Sequence, residues 1–119
     1  MKKVLVLGAS VNANRYSNMA IKKLNIHNFE VFGLGKRIGA VDQIEIYTNP
    51  RPIQDLYAIT MYLGAPNQKE YYQHIIQLKP EKVIFNPGAE NTELEVKLVQ
   101  HGIHIERACT LVLLSLNAF

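Results

Sequence analysis

The chain has a single cysteine, Cys109, in 119 residues. One cysteine cannot form an internal disulfide, so the class of small secreted domains that depend on disulfides is excluded. No apolar run approaches the roughly 20 residues that a membrane-spanning helix needs. The apolar start, Val4–Leu7, is also too short for the core of a signal peptide. We therefore expect a cytoplasmic protein that does not associate with a membrane.

The net charge is also small: 13 Lys and Arg and 10 Asp and Glu give an excess of +3. This excess is too small to predict nucleic acid binding. Its distribution is uneven: residues 1–59 hold eight Lys and Arg against four Asp and Glu, and residues 60–119 hold five against six. We expect any anionic ligand to be held mainly by the first half of the chain.

The chain is long enough to bury its own core, and no linker or internal repeat divides it. We therefore predict one domain over residues 1–119. Apolar runs that suit strands alternate with segments of helical periodicity. The predicted strands are Lys3–Leu7, Phe29–Phe32, Gln43–Tyr47, Leu56–Tyr62, Lys82–Phe85 and Ile103–Ile105. The predicted helices cover residues 17–24, 67–80, 91–100 and 109–116.

This alternation is typical of βαβ units and predicts an α/β fold, with a doubly wound, mainly parallel sheet in a three-layer arrangement. An eightfold barrel is excluded, because it needs about twice this length. Ser17 is expected to cap the first helix. In the helix over 91–100, Leu94, Leu98 and Val99 are expected to face the core.

Four predicted strands end in small or turn-forming residues. The carboxyl ends of parallel strands meet at one edge of the sheet, where α/β proteins bind their ligands. We therefore predict a ligand site at this edge. The four strand ends are Gly8-Ala9-Ser10, Gly33-Leu34-Gly35, Gly64-Ala65-Pro66 and Asn86-Pro87-Gly88.

The loop after the first strand suits a phosphate. It offers the N–H groups of a helix start, two serine hydroxyls, at Ser10 and Ser17, and the guanidinium of Arg15. An ordinary βα turn is the alternative interpretation. Only the first glycine of the G-x-G-x-x-G dinucleotide fingerprint is present, at Gly8.

The turn after the second strand carries two adjacent cations, Lys36 and Arg37. An enzyme that uses NAD has an acidic residue near this point for the ribose hydroxyl. A basic pair instead suits a phosphate on the ribose, and an exposed basic turn is the alternative interpretation.

These features resemble the small bacterial CoA-binding domain proteins, and they are similar to the CoA-binding domain of the succinyl-CoA synthetase alpha subunit. The resemblance extends from Val4 to about Cys109. It is carried by the Gly-Ala-Ser strand end, the Arg15-x-Ser17 helix start, the glycine-lysine turn and Asn86-Pro87-Gly88-Ala89-Glu90-Asn91.

The resemblance implies a Rossmann-like domain that binds coenzyme A or an acyl-CoA. It implies that the pyrophosphate lies on Gly8, Ala9, Ser10, Arg15 and Ser17, and the ribose phosphate on Gly35, Lys36 and Arg37. The loop that contains Gly64 and Pro66 would pass near the adenosine or the pantetheine arm, and Asn86, Pro87 and Gly88 would line the far end. Tyr62-Leu63-Gly64-Ala65-Pro66 departs from the basic-aromatic-proline pattern of many relatives. Synthetase activity is not implied, since its phosphorylated histidine and partner subunit have no counterpart here.

No nucleophile–base pair and no metal site is predicted. His101 and His104 flank Gly102, which is expected to end a helix. Cys109 is interpreted as a buried structural thiol, with a redox or thioester role left open. We expect a binding or sensor module, and the alternatives are a small NADP-dependent reductase and a protein-interaction module without a ligand. The apolar run Leu111–Leu116 is expected to close the core and leaves a homodimer contact open.

Overall fold

The computed structural model describes all 119 residues, and seven strands form one sheet. The β-branched and leucine runs predicted from the sequence form its centre, where parallel strands are buried on both faces. The strands are β1 Lys3–Ala9, β2 Glu30–Gly35, β3 Gly39–Val41, β4 Ile44–Tyr47, β5 Leu56–Met61, β6 Lys82–Phe85 and β7 His104–Arg107.

Five α-helices lie between or after the strands: α1 Tyr16–Ile26, α2 Ala65–Gln68, α3 Tyr72–Leu78, α4 Thr92–Gln100 and α5 Thr110–Ser115. A 3₁₀ turn over Lys69–Tyr71 joins α2 to α3. The Asn91 side chain caps α4 by accepting the Leu94 N–H, and Gly102, with φ +75°, follows the end of that helix. None of the helices is both long and apolar enough to cross a bilayer.

The strand order is β3-β4-β2-β1-β5-β6-β7. All neighbouring strands are parallel except β3 and β4, which form an antiparallel pair. From β1 the chain builds outward through β2 to the edge strand β3, and it turns back to form β4 between β3 and β2. It then crosses over through residues 48–55 to β5, on the other side of β1. This topology confirms the doubly wound α/β prediction and places the switch point between β1 and β5.

Alternate residues of the central strands point to opposite faces, and both faces are covered. One face packs against α1 and α5 and buries Val4, Val6, Ile21, Leu24 and Leu114. The other packs against α3, α4 and the extended segment 48–55, and it buries Leu5, Leu7, Ile53, Ile75 and Leu98. These two apolar layers on one sheet form the predicted three-layer arrangement.

Two predictions about the first βαβ unit are wrong. Ser17 does not cap α1, because the helix begins at Tyr16 with Arg15 in the capping position, and Ser17 is buried in its first turn. Gly33–Gly35 does not form a turn after β2. It belongs to β2, because pairing with β1 continues from Val6↔Gly33 to Ala9↔Gly35. A central neighbour strand supplies hydrogen bonds that override the low strand propensity of glycine.

Other boundaries also differ from the predictions. The helix predicted over 67–80 is divided by the 3₁₀ turn, and within α3 only Ile75 and Leu78 are buried. Val99 is 59% exposed instead of facing the core. The last strand begins at His104, after Ile103. The short strand β3 was not predicted, because the turn at Asp42-Gln43 that joins it to β4 has two positive φ angles without a glycine.

Candidate functional site

The loops after β1 and β5 meet at the switch point. Gly8 has φ +96°, and a Cβ there would lie 3.1 Å from the Leu63 nitrogen and 3.2 Å from the Tyr62 carbonyl carbon. Glycine therefore gives β1 the turn it needs and lets the two strand ends pack backbone to backbone. This contact forms the middle of the carboxyl edge.

The loop after β1 also lies against the turn between β2 and β3. Ala9 pairs with Gly35, where an added Cβ would overlap the Ala9 carbonyl oxygen. A Cβ at Gly39 would lie 2.5 Å from Val11 Cγ1. Ser10 and Lys36 each follow the paired residues Ala9 and Gly35 by one position. The backbone therefore brings the two predicted phosphate loops side by side.

Local hydrogen bonds hold the first loop in shape. The Asn12 N–H donates to Ser10 Oγ and the Asn14 N–H to Asn12 Oδ1, each at 3.0 Å. Asn18 Nδ2 donates to the Ser10 carbonyl at 3.0 Å from within α1. The Asn18 side chain is buried, and its Oδ1 has no hydrogen-bond partner. This oxygen can accept a hydrogen bond from a ligand hydroxyl or from water.

The start of α1 carries free donors. The backbone N–H groups of Tyr16 and Ser17 have no acceptor in the protein, and no acidic residue lies in the first turn. The Ser17 hydroxyl makes no hydrogen bond, and the Ser10 hydroxyl proton remains free to donate, since its oxygen only accepts. A helix start with unpaired amides attracts anions.

The two adjacent loops carry three exposed cations without partners: Arg15, Lys36 and Arg37 form no ion pair or side-chain hydrogen bond. Arg51 differs, because it donates two hydrogen bonds to Glu45 at 3.0 and 2.9 Å and lies over the Tyr47 ring. Arg51 lines a groove of about 900 Å³ between α3 and residues 50–55, away from the carboxyl edge. The Arg51 guanidinium is therefore engaged within the protein, whereas Arg15, Lys36 and Arg37 are free to contact an anion.

On the other side of the switch point, Asn86 is saturated by the protein. Its Nδ2 donates to Thr60 Oγ1 at 2.7 Å and to the Met61 carbonyl at 2.9 Å, and its Oδ1 accepts the Thr110 N–H at 2.8 Å. Asn86 is also buried. Its side chain holds β5, β6 and the start of α5 together and presents no free polar atom to a ligand.

The remaining predicted residues of this side are accessible. Pro66, Pro87 and Gly88 are exposed, and Gly64 is half-buried at the start of α2. Gly88 has φ +92° and no heavy atom within 4 Å of an added Cβ. These residues offer an open, largely apolar surface next to the β1 loop.

Cys109 stands in the capping position of α5 and is half-buried. Near Cys109, burial raises the pKa of the Tyr62 hydroxyl to about 12 and outweighs the lowering effect of the neighbouring Thr110 and Thr60 hydroxyls. The Tyr62 hydroxyl itself has no hydrogen-bond partner. Tyr62 therefore stays protonated at neutral pH and is a poor base for the thiol. No group of three metal-ligating side chains is present.

Residues 2–115 match a family described as the CoA binding domain. The chain belongs to this family. A crystal structure of an uncharacterized protein is 41% identical, with a TM-score of 0.97 over 100% of this chain and 98% of that chain.

More distant structures share the fold of this CoA-binding-domain protein. A hypothetical protein from Pyrococcus horikoshii OT3 is 23% identical, with a TM-score of 0.84 over 93% of this chain and 80% of that chain. A protein from Thermus thermophilus is 19% identical, with a TM-score of 0.81 over 99% and 90%. No curated protein sequence matches the chain.

The residues at the edge of this CoA-binding-domain protein fit a polyanionic ligand. Coenzyme A carries a diphosphate and a ribose 3′-phosphate, and the paired first-half loops supply free amides, hydroxyls and three unpaired cations. Sequence patterns did not point to Asn18 and Gln68, which are buried polar residues within helices. The sequence signal for such residues is a polar residue among the apolar positions of a helix. This signal does not show which groups the side chain bonds to.

Proposed function

We propose that the protein binds coenzyme A or an acyl-CoA along the carboxyl edge of its sheet. The diphosphate is held by the start of α1, with Ser10, Arg15 and Ser17, against the backbone of Gly8 and Ala9. Lys36 and Arg37, which follow Gly35, hold the 3′-phosphate. The pantetheine arm crosses Gly64 and Pro66 toward Pro87 and Gly88, and Asn86 shapes that end of the surface.

One observation supports the proposal: the unpaired amides and the unpaired cations belong to two loops that the backbone brings side by side. The Tyr16 and Ser17 amides have no acceptor, and Lys36 follows directly on the residue that pairs with Ala9. Charge-assisted hydrogen bonds to phosphate are the strong interactions available to such groups. A phosphorylated ligand would satisfy donors that the protein itself leaves free.

We propose binding, with a carrier or sensor role, in preference to catalysis. Coenzyme A supplies a thiol that carries acyl groups as thioesters. On the side assigned to the arm, the buried Thr60 hydroxyl bonds to the Thr110 hydroxyl and accepts from Asn86 Nδ2, and Asn86 Oδ1 accepts the Thr110 N–H. Groups engaged in this way hold the shape of the surface and are not free to move a proton.

The test is a thermal unfolding series with coenzyme A, dephospho-CoA and NADPH, together with mass spectrometry of the natively purified protein for a retained ligand. A ligand present at 100 times its Kd adds about 2.7 kcal/mol of stability. We expect coenzyme A to stabilise most, dephospho-CoA less and NADPH least.

Two outcomes contradict the proposal. Stabilisation by NADPH beyond that of coenzyme A would favour a small NADP-dependent reductase, in which Lys36 and Arg37 contact a 2′-phosphate. Failure of all three ligands, together with a defined complex with another protein, would favour an interaction module.

A further inference from the structure

Gln68 lies in α2 with no exposed surface, and it bonds to loops that follow two different strands. Its Nε2 donates to the Leu63 carbonyl, after β5, at 2.8 Å, and to the Ala89 carbonyl, after β6, at 2.7 Å. Its Oε1 accepts a hydrogen bond from Asn91 Nδ2 at 2.9 Å. Every polar atom of this amide is therefore engaged in joining the two loops.

The Gln68 bridge continues to the first loop and to α4. Leu63, which receives one of the Gln68 hydrogen bonds, is the residue whose nitrogen lies beside Gly8. Asn91, which donates to Gln68, also caps α4 and donates to the Tyr72 hydroxyl at 2.8 Å. A continuous set of contacts therefore runs across the carboxyl edge from the end of β1 through β5 to β6.

No other group donates to the Leu63 or Ala89 carbonyl. An apolar residue at position 68 would leave the buried Ala89 carbonyl and the partly buried Leu63 carbonyl without a donor, which is costly in a protein interior. α2 has four residues and cannot hold the loop by its own helical hydrogen bonds. Asn86 joins the ends of β5 and β6, and this one amide joins the Leu63 and Ala89 carbonyls of the loops beyond them.

We propose that Gln68 is a positioning residue for the ligand: its amide sets the spacing of the Leu63–Pro66 and Asn86–Ala89 loops and thereby the surface that receives the pantetheine arm. This inference rests on the proposed function, because it assigns the arm to these two loops. The Gln68 side chain makes no hydrogen bond to the phosphate loops, which follow β1 and β2.

The experiment compares two ligands in one variant. Gln68→Met keeps the length of the side chain and removes its hydrogen bonds, and Gln77→Met is the matched control on the exposed face of α3. Calorimetric titration measures the Kd of coenzyme A and of adenosine 3′,5′-bisphosphate, which lacks the arm. We expect Gln68→Met to weaken coenzyme A roughly 2- to 30-fold, to leave the bisphosphate unchanged, and Gln77→Met to change neither.

A purely structural role would weaken both ligands alike, and that result overturns the inference, as does an unchanged affinity for both. Where Gln68→Met fails to fold, Gln68→Asn serves instead, because it keeps an amide that is one methylene too short to reach both carbonyls. Wild-type protein that binds neither ligand refutes the proposed function itself. Wild-type binding with an indifferent Gln68 variant refutes the positioning role alone.

Discussion

At the start of α1 and in the turn after β2, the Tyr16 and Ser17 amides and the side chains of Arg15 and Lys36 have no partner within the protein. In the loops after β5 and β6, the buried amides of Gln68 and Asn86 are fully hydrogen-bonded. At one side of the sheet edge these polar groups are therefore unpaired, and at the other side they are hydrogen-bonded within the protein.

This difference indicates which residues contribute to ligand binding and which contribute to the stability of the fold. Unpaired surface donors add little to folding and are available to a ligand, whereas a buried amide that bridges strands stabilises the fold and offers nothing outward. Substitutions in the phosphate loops should therefore change affinity, and substitutions in the hydrogen-bonded network should change the free energy of unfolding.

The largest effect is expected for Asn86→Ala. It leaves the buried Thr110 N–H without an acceptor and removes the side-chain donor to Thr60 Oγ1 and to the Met61 carbonyl, which keeps only the backbone N–H of residue 86. We expect a loss of about 3 kcal/mol in the free energy of unfolding. The matched control is Asn14→Ala in the exposed first loop, expected to change stability by about 0.5 kcal/mol or less. Urea denaturation measures both. Equal urea midpoints for the two variants would contradict the view that the paired side of the edge contributes more to stability than the first loop does.

Gly35→Ala should follow in size. Its Cβ would overlap the Ala9 carbonyl oxygen, so β1 or β2 must shift, at about 2–3 kcal/mol of stability. Gly88→Ala meets no neighbouring atom and carries only the strain of φ +92°, about 1 kcal/mol. Thermal unfolding of both variants checks the order. A milder Gly35→Ala would show that the first loop is not pressed against β2.

Lys36→Ala and Arg15→Ala should each weaken coenzyme A by about 2 kcal/mol while leaving stability unchanged. Dephospho-CoA, which lacks the 3′-phosphate, should respond to Arg15→Ala and not to Lys36→Ala. Lys97→Ala, which removes an exposed cation from the last turn of α4, is the matched control. Titration calorimetry supplies the affinities. An equal loss of both ligands in Lys36→Ala would show that the role given to Lys36 is wrong.

The smallest effect concerns the groove between α3 and residues 50–55. Burial lowers the pKa of His74 there, and its Nε2 has no partner. The unfolded chain protonates near the ordinary pKa of about 6.5, so His74 favours folding above that pH, and this contribution is lost as the pH falls. His74→Gln should therefore unfold with a weaker dependence on pH between about 7.5 and 5.5, with the affinity for coenzyme A unchanged. The same pH dependence in both proteins would contradict this.

Several elements follow from local sequence alone. Lys82–Phe85 is an apolar run between Pro80 and Pro87, and it forms β6 with the predicted bounds. Asn91 and Gly102 mark the ends of α4 through their side-chain and backbone chemistry. The boundaries that local sequence mispredicted depend on contacts with distant residues: pairing with β1 extends β2 through Gly35, and the position of α4 against β7 leaves Val99 in solvent.

The candidate site shows the same division. Strand ends and helix starts are visible in sequence, so local patterns are enough to select Ser10, Arg15 and Lys36. Because Asn86 follows a strand, local sequence predicts that its side chain contacts the ligand. Its hydrogen bonds to Thr60 and Thr110, which lie 26 and 24 residues away, show that the side-chain amide is already paired within the protein. Local patterns do not select Gln68 at all, because its partner Ala89 lies 21 residues further along the chain.

The amino-acid sequence by itself determined the alternation of strands and helices and the edge at which the loops gather. Periodicity, glycine and proline act over a few residues, and parallel strands place their carboxyl ends together. Tertiary structure alone decided which polar groups remain free. Hydrogen bonding is settled by the pairing of atoms brought together from distant parts of the chain, and that pairing exists only once the sheet has formed.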